Sequence, residues 1–174
     1  ELAQWVHSGE AGTIQHALIY YSRGLVHNGS HYIDAILHLL GEPEDVRVVR
    51  QREGLIENDP TVSVVFGYDG FDVYLAGIQT GTLLTNEIDI IGTNGGVRID
   101  TAGVITRSAV RPHPFYKQYT HFGTTEQTRI ETGKALPNAV SNLYGFLEGR
   151  EPLLSPGDNS IRVFQLIDRI REQL

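Results

Sequence analysis

The sequence points to an α+β domain: an open, largely antiparallel β-sheet with helices covering one face and the other face left open. Two observations carry this expectation. Strand-like runs follow one another through tight turns such as Asp69-Gly70 and Asn94-Gly95, whereas a regular alternation of strands and helices would mark a parallel sheet. Helical periodicity is confined to separate stretches, one after residue 30 and two beyond residue 134. A length of 174 residues fits a single domain spanning 1–174, large enough to bury roughly two thirds of its unfolded surface.

In chain order, residues 2–8 read as a short helix ended by Gly9, and Ser8-Gly9-Glu10-Ala11-Gly12 turns the chain into a strand. That strand, Thr13 to Tyr21, is rich in β-branched and aromatic residues. The loop Ser22 to His27 leads into a helix of about three turns. Asn28-Gly29-Ser30 reads as a loop ending in a cap, because Asn and Ser side chains accept the free amide hydrogens of a helix start. Gly41 stops this helix and Pro43 prevents its continuation. Val46 to Arg52, Thr61 to Tyr68 and Phe71 to Gln79 are strands. Val62, Val64 and Phe66 alternate before the Asp69-Gly70 turn, and Phe71, Val73 and Leu75 alternate after it. A second hairpin joins Glu87–Ile91 to Val97–Asp100 through Thr93-Asn94-Gly95-Gly96, and residues 103–110 extend the sheet.

Arg111 to Lys134 shows no clear period and carries His113, Phe115, Tyr116, Tyr119, His121 and Phe122, a connection suited to a substrate lid or a dimer contact. Leu136, Val140, Leu143 and Leu147 share one helical stripe, and Val163, Leu166, Ile167, Ile170 and Leu174 share another. Both are read as amphipathic helices that cover a face of the sheet.

Composition narrows the function. Twenty-one acidic against fourteen basic residues give a formal charge of −7 with no basic cluster, which argues against nucleic acid as a partner. Cysteine is absent, excluding disulfides, thiolate metal sites and cysteine nucleophiles. No apolar run approaches the ~20 residues of a membrane span and no secretion signal is visible, so a cytoplasmic protein without a membrane partner is expected. Methionine is also absent, as in a piece of a longer protein.

The chemistry concentrates in His27-Asn28-Gly29-Ser30-His31-Tyr32-Ile33-Asp34. At about 100° per residue, His31, Asp34 and His38 fall on one stripe of the helix, opposite Ile33, Ile36, Leu37 and Leu40. His27 and His31 have the spacing of a metal pair, but Asn28 stands where the zinc-protease pattern needs glutamate, and Gly29 interrupts the helix. No metal is assigned. Histidine titrates near neutrality, so His31 at a helix entrance suits acid/base work; a structural pairing of His31 with Asp34 is the other use of the same residues. His38 reads as structural or merely exposed. No Gly-x-Gly-x-x-Gly occurs, and Gly92-Thr93-Asn94-Gly95-Gly96 lacks the lysine of a phosphate-binding loop.

Three groups of residues carry a family resemblance: Ser8-Gly9-Glu10-Ala11-Gly12-Thr13; Gly29-Ser30-His31-Tyr32-Ile33-Asp34 with Leu39-Leu40-Gly41-Glu42-Pro43; and Phe146-Leu147-Glu148-Gly149-Arg150-Glu151-Pro152 with Ser155-Pro156-Gly157-Asp158. In order and spacing the chain resembles the C-terminal domain of the Gfo/Idh/MocA oxidoreductases, the glucose-fructose oxidoreductase and inositol dehydrogenase family. The resemblance implies a parent enzyme whose N-terminal Rossmann domain, absent from this chain, binds NAD or NADP. Here the domain would supply contacts to a sugar, sugar derivative or polyol and an interface for homo-oligomers. It implies that His31 assists proton transfer beside a lysine of the nucleotide domain, with Arg23, His27 and Asn28 lining the substrate cleft. Relatives often carry aspartate at the position of His27. A noncatalytic ligand-sensing or assembly module is the alternative, and a metal-dependent hydrolase a more distant one.

Overall fold

A computed structural model of the chain describes residues 2–79 and 82–174. The elements run α1 (Leu2–His7), β1 (Ile14–Ser22), a π-helical turn (Leu25–Gly29), α2 (Ser30–Leu40), β2 (Asp45–Ile56), β3 (Asp59–Tyr68), β4 (Phe71–Ile78), β5 (Glu87–Gly92), β6 (Gly95–Ile99), β7 (Val104–Pro112), β8 (Thr120–Arg129), α3 (Ala135–Leu147) and α4 (Gly157–Arg171). The eight strands form one sheet in the order β2-β3-β4-β1-β5-β6-β7-β8. Every neighbouring pair is antiparallel except β1 with β4, which α2 and the β2–β3 hairpin separate along the chain. The expected α+β class with an open, largely antiparallel sheet is the one observed.

Period-2 alternation decides which face is covered. Ala17, Ile19 and Tyr21 of β1 point the same way as Val73 and Leu75 of β4 and Ile90 of β5, and all are buried. Val62, Val64 and Phe66 of β3 extend that layer, and Val46 of β2, opposite Phe66, carries it to the edge strand. Over it lie Trp5 of α1, Ile33, Ile36, Leu37 and Leu39 of α2, and Val163, Leu166, Ile167 and Ile170 of α4. Leu39 rather than Leu40 completes the fully buried side of α2, while His31, Asp34 and His38 stay on its exposed side. Gly41 ends α2 at φ 80°, and the Tyr68 hydroxyl donates to its carbonyl at 2.9 Å.

The other face of the sheet carries none of these helices. Leu18 lies between Tyr74 and Asp89, and Asp89 pairs across to Arg98, giving a half-buried surface of mixed apolar and charged residues. Burial there holds the Asp89 carboxyl above the usual carboxylate range, against the pull of Arg98 and His16.

Three expectations change. Half of the stretch from Arg111 to Lys134 is strand: β7 and β8 form a long hairpin, with His113 to Tyr119 at its tip. β8 is an edge strand exposed at every position but Gly123, so neither face selects apolar residues and no alternation is written into it. Second, α3 does not cover the sheet, and Leu136 and Leu147 are 75% and 69% exposed. Third, Asn28-Gly29-Ser30 is not a capped loop, since helical backbone begins at Leu25 as a π turn and runs directly into α2. Among the described residues, no helix is long and apolar enough to cross a membrane.

Candidate functional site

The exit from β1 sets the site. Arg23 and Gly24 both adopt left-handed backbone, φ 73° and 90°, and swing the chain sharply out of the sheet into the π turn. Arg23 is not glycine, so this conformation stores strain of the kind that gathers near functional segments. Three strands then grip the turn. From β1, the Tyr21 ring packs beneath Gly29, where a Cβ would lie 3.0 Å from it. From the start of β3, Asp59 accepts hydrogen bonds from the backbone N–H groups of Val26 and His27, both at 2.8 Å. From the approach to β5, Asn86 accepts from the Asn28 amide at 3.1 Å, while the same Asn28 nitrogen donates to the Ser22 carbonyl at 2.9 Å.

A π turn places one extra residue per turn in the hydrogen-bonded ring, and such turns recur at functional sites. Here Gly29 donates its amide to the Gly24 carbonyl at 3.0 Å, five residues back. This is why no side chain caps α2. The capping carboxylate comes from Asp59, thirty-odd residues away.

Beyond the turn, α2 and the start of α4 enclose an open cavity of about 230 Å³ lined by Ser30, His31, Asp34, Ser155, Ser160, Val163 and Phe164. The polar stripe of α2 faces it. Among the described residues, the side chains of Ser30, His31, Asp34, Ser155 and Ser160 make no hydrogen bond within the chain. Three hydroxyls, an imidazole and a carboxylate therefore remain available, with Phe164 and Val163 as the apolar wall. A hydroxylated ligand matches that mixture, because each of its groups can be both donor and acceptor. The stripe continues into a smaller cavity with Asp34, His38, Asn159 and Arg162, where Arg162 also pairs with Glu42 at 2.7 Å.

The sequence-predicted site residues divide. His31 lines the cavity; Arg23 and His27 are exposed but do not line it, and the Asn28 amide is engaged in holding the turn. The structure adds Asp34, Ser155 and Ser160 to the cavity and Asp59 beneath the turn. Asp59 left little trace in the sequence, since Asn58-Asp59-Pro60 reads only as a hairpin turn. Tyr32, half-buried on α2, has its phenol pushed up to about 12 by burial and stays a neutral group there. Among the described residues, no group of three or more histidines and carboxylates is arranged to hold a metal ion.

No protein-family model matches the chain, and no curated protein sequence does. Solved structures do. UDP-N-acetylglucosamine 3-dehydrogenase GnnA from Acidithiobacillus ferrooxidans superimposes with a TM-score of 0.71 at 14% identity, over 98% of this chain and 57% of that one. The WlbA dehydrogenase from Bordetella pertussis, in complex with NADH and UDP-GlcNAcA, gives 0.70 at 16% identity, over 99% and 55%. The yvaA structure from Bacillus subtilis gives 0.71 at 16% identity, over 98% and 58%. The chain thus spans a little over half the length of these structures. At these identities the likeness establishes the fold.

Proposed function

We propose that this chain is the substrate-binding and oligomerisation domain of an NAD(P)-dependent oxidoreductase acting on a sugar, sugar derivative or polyol. The observation that carries the reading is the cavity in which His31 and Asp34 meet the free hydroxyls of Ser30, Ser155 and Ser160. The shared fold with GnnA and WlbA, the second bound to NADH and a UDP-sugar, supports it.

A bound nicotinamide would supply the hydride acceptor or donor for a substrate carbon. This chain has no glycine-rich nucleotide turn, so dinucleotide binding falls to residues outside it. Its own residues do the proton work. An unprotonated imidazole nitrogen of His31 takes the proton of the substrate hydroxyl as its carbon is oxidised, and returns it in reduction. The carboxylate of Asp34, on the same wall, offers a further acceptor for a substrate hydroxyl. Serine hydroxyls orient the remaining hydroxyls, and Phe164 and Val163 exclude water from one side.

Two surfaces suit a larger assembly. Leu136, Leu143 and Leu147 of α3 and Ile161 and Phe164 of α4 are exposed, and Phe164 lines the cavity, so a cofactor domain closing over His31 would cover apolar surface. The uncovered sheet face with Leu18, Tyr20 and Tyr74 would meet a second copy of the protein. Alone, the 174-residue chain would not turn over.

The test is reduction of NAD or NADP by the full-length protein with UDP-N-acetylglucosamine, glucose and myo-inositol as probes, in wild type and His31→Ala. Hydride transfer should fall by a factor of about 10² to 10⁴ in the variant. Unchanged single-turnover rates would remove His31 from the chemistry, and binding of a probe without turnover would leave a ligand-sensing module.

A further inference from the structure

The carboxylate beneath the π turn is placed too specifically to be an incidental surface acid. Asp59 is 7% exposed, and its oxygens divide between neighbouring amides: Oδ1 accepts from Val26 and Oδ2 from His27, each at 2.8 Å. Both amides lie in the first turn of the helical segment, where N–H groups lack partners inside the helix and the helix dipole favours an anion. The surrounding backbone is cleared for this residue. A Cβ on Gly24 would collide with the Asp59 carboxylate, and one on Gly54 with the Asp59 main chain. Gly24 also sits at φ 90°, so the junction between β1 and the turn is shaped around the acid.

Among the described residues, no other side chain accepts from those two amides. Ser30 makes no side-chain cap, and the Asn28 amide is turned the other way, toward Ser22 and Asn86. The rotation of the turn about its axis is consequently set by Asp59 on one side, by Asn28 on another and by the Tyr21 ring under Gly29. His31 follows the turn by one residue of α2, so a rotation there is carried to its imidazole at the cavity wall.

We infer that Asp59 is a positioning residue for the site: acting through the Val26 and His27 amides, it orients the helix entrance that presents His31 to the cavity. The inference deepens the acid/base reading of His31 and rests on it for its functional meaning, although the placement itself is measurable without turnover.

The test uses full-length protein with labelled backbone amides and histidine rings, comparing wild type, Asp59→Asn and Asp59→Ala by NMR. Asp59→Asn keeps the side-chain shape but sets an NH₂ group against one amide donor. Exchange at Val26 and His27 should quicken by roughly 10- to 100-fold, the factor for losing a hydrogen bond to a charged acceptor. Exchange at Ile36 and Leu37 in the middle of α2 should hold within about twofold. The His31 ring signal should shift while that of His113, at the far hairpin, stays in place. An unmoved His31 signal, or exchange that accelerates evenly along α2, overturns the proposal and leaves Asp59 as a general stabiliser. Should Asp59→Ala fail to fold, Asp59→Asn still decides. A His31→Ala variant with full turnover would instead refute the catalytic reading and leave the amide result standing, so the two failures are separable.

Discussion

Tyr21→Phe tests how the site is anchored to the sheet. The Tyr21 hydroxyl donates to the Val62 carbonyl at 2.7 Å and accepts from the Val62 N–H at 2.9 Å, and both residues are fully buried. Phenylalanine keeps the ring beneath Gly29, so packing changes little. What remains is a buried N–H and C=O stripped of that partner, in a place water does not reach. Each such group costs about 1–3 kcal/mol, the carbonyl toward the lower end because it has a second lone pair. The sum is about 2–4 kcal/mol, a substantial part of the 5–15 kcal/mol typical of a domain. Urea unfolding of the 174-residue chain, followed by the fluorescence of Trp5, its only tryptophan and 7% exposed, measures it directly. The midpoint should fall with the slope unchanged. A loss below about 0.5 kcal/mol, the range of an ordinary surface substitution, would show that the Val62 groups find another partner and that Tyr21 is not their anchor.

Two further outcomes follow from burial. Ile167→Ala in α4, at a fully buried position, should cost about 2–5 kcal/mol in the same titration, whereas Leu143→Ala in α3, 46% exposed, should cost less than about 0.5 kcal/mol; equal losses would mean that α3 is packed after all. Burial raises the phenols of Tyr21, Tyr32 and Tyr68 above their ordinary value of 10.0. The folded state therefore holds these protons while the unfolded state releases them. Their stabilising contribution is complete below about pH 10 and is lost as pH rises through the folded values. Unfolding midpoints measured across the alkaline range should fall from about pH 10 upward, and a flat profile would contradict the burial of the three rings.

Much of the fold was legible because one face of the sheet is buried. Val62, Val64 and Phe66, and Val73 and Leu75, alternate because only every second residue meets the helices, and Asp69-Gly70 joins the two runs. The same logic explains where legibility ended. β8 is an exposed edge without a buried face, so Thr120–Arg129 carries no alternation to read. α3 and α4 show equivalent apolar stripes, yet only α4 packs on the sheet. Periodicity reports that a helix has an apolar side, not what that side meets.

At the site, His31 and the polar stripe with Asp34 were visible from helical spacing. Ser155 and Ser160 were not, because the α2–α4 contact that brings them beside His31 joins residues far apart in sequence. Asn28 looked like a cap or a substrate contact and proves to be a tether to Ser22 and Asn86, since its amide is satisfied by the surrounding strands.

Local chemistry alone determined the class of fold, the strands of the central hairpins, the stop of α2 at Gly41 and the placing of His31 on a polar helix face. These depend on turn conformation and on side-chain period, which act between residues close in the chain. The tertiary structure decided the π turn, its clamping by Tyr21 and Asp59, and the cavity between α2 and α4. Each of these depends on a contact between residues remote in sequence: a carboxylate from β3 satisfies amides that no neighbouring side chain reaches, and that contact sets how His31 enters its site.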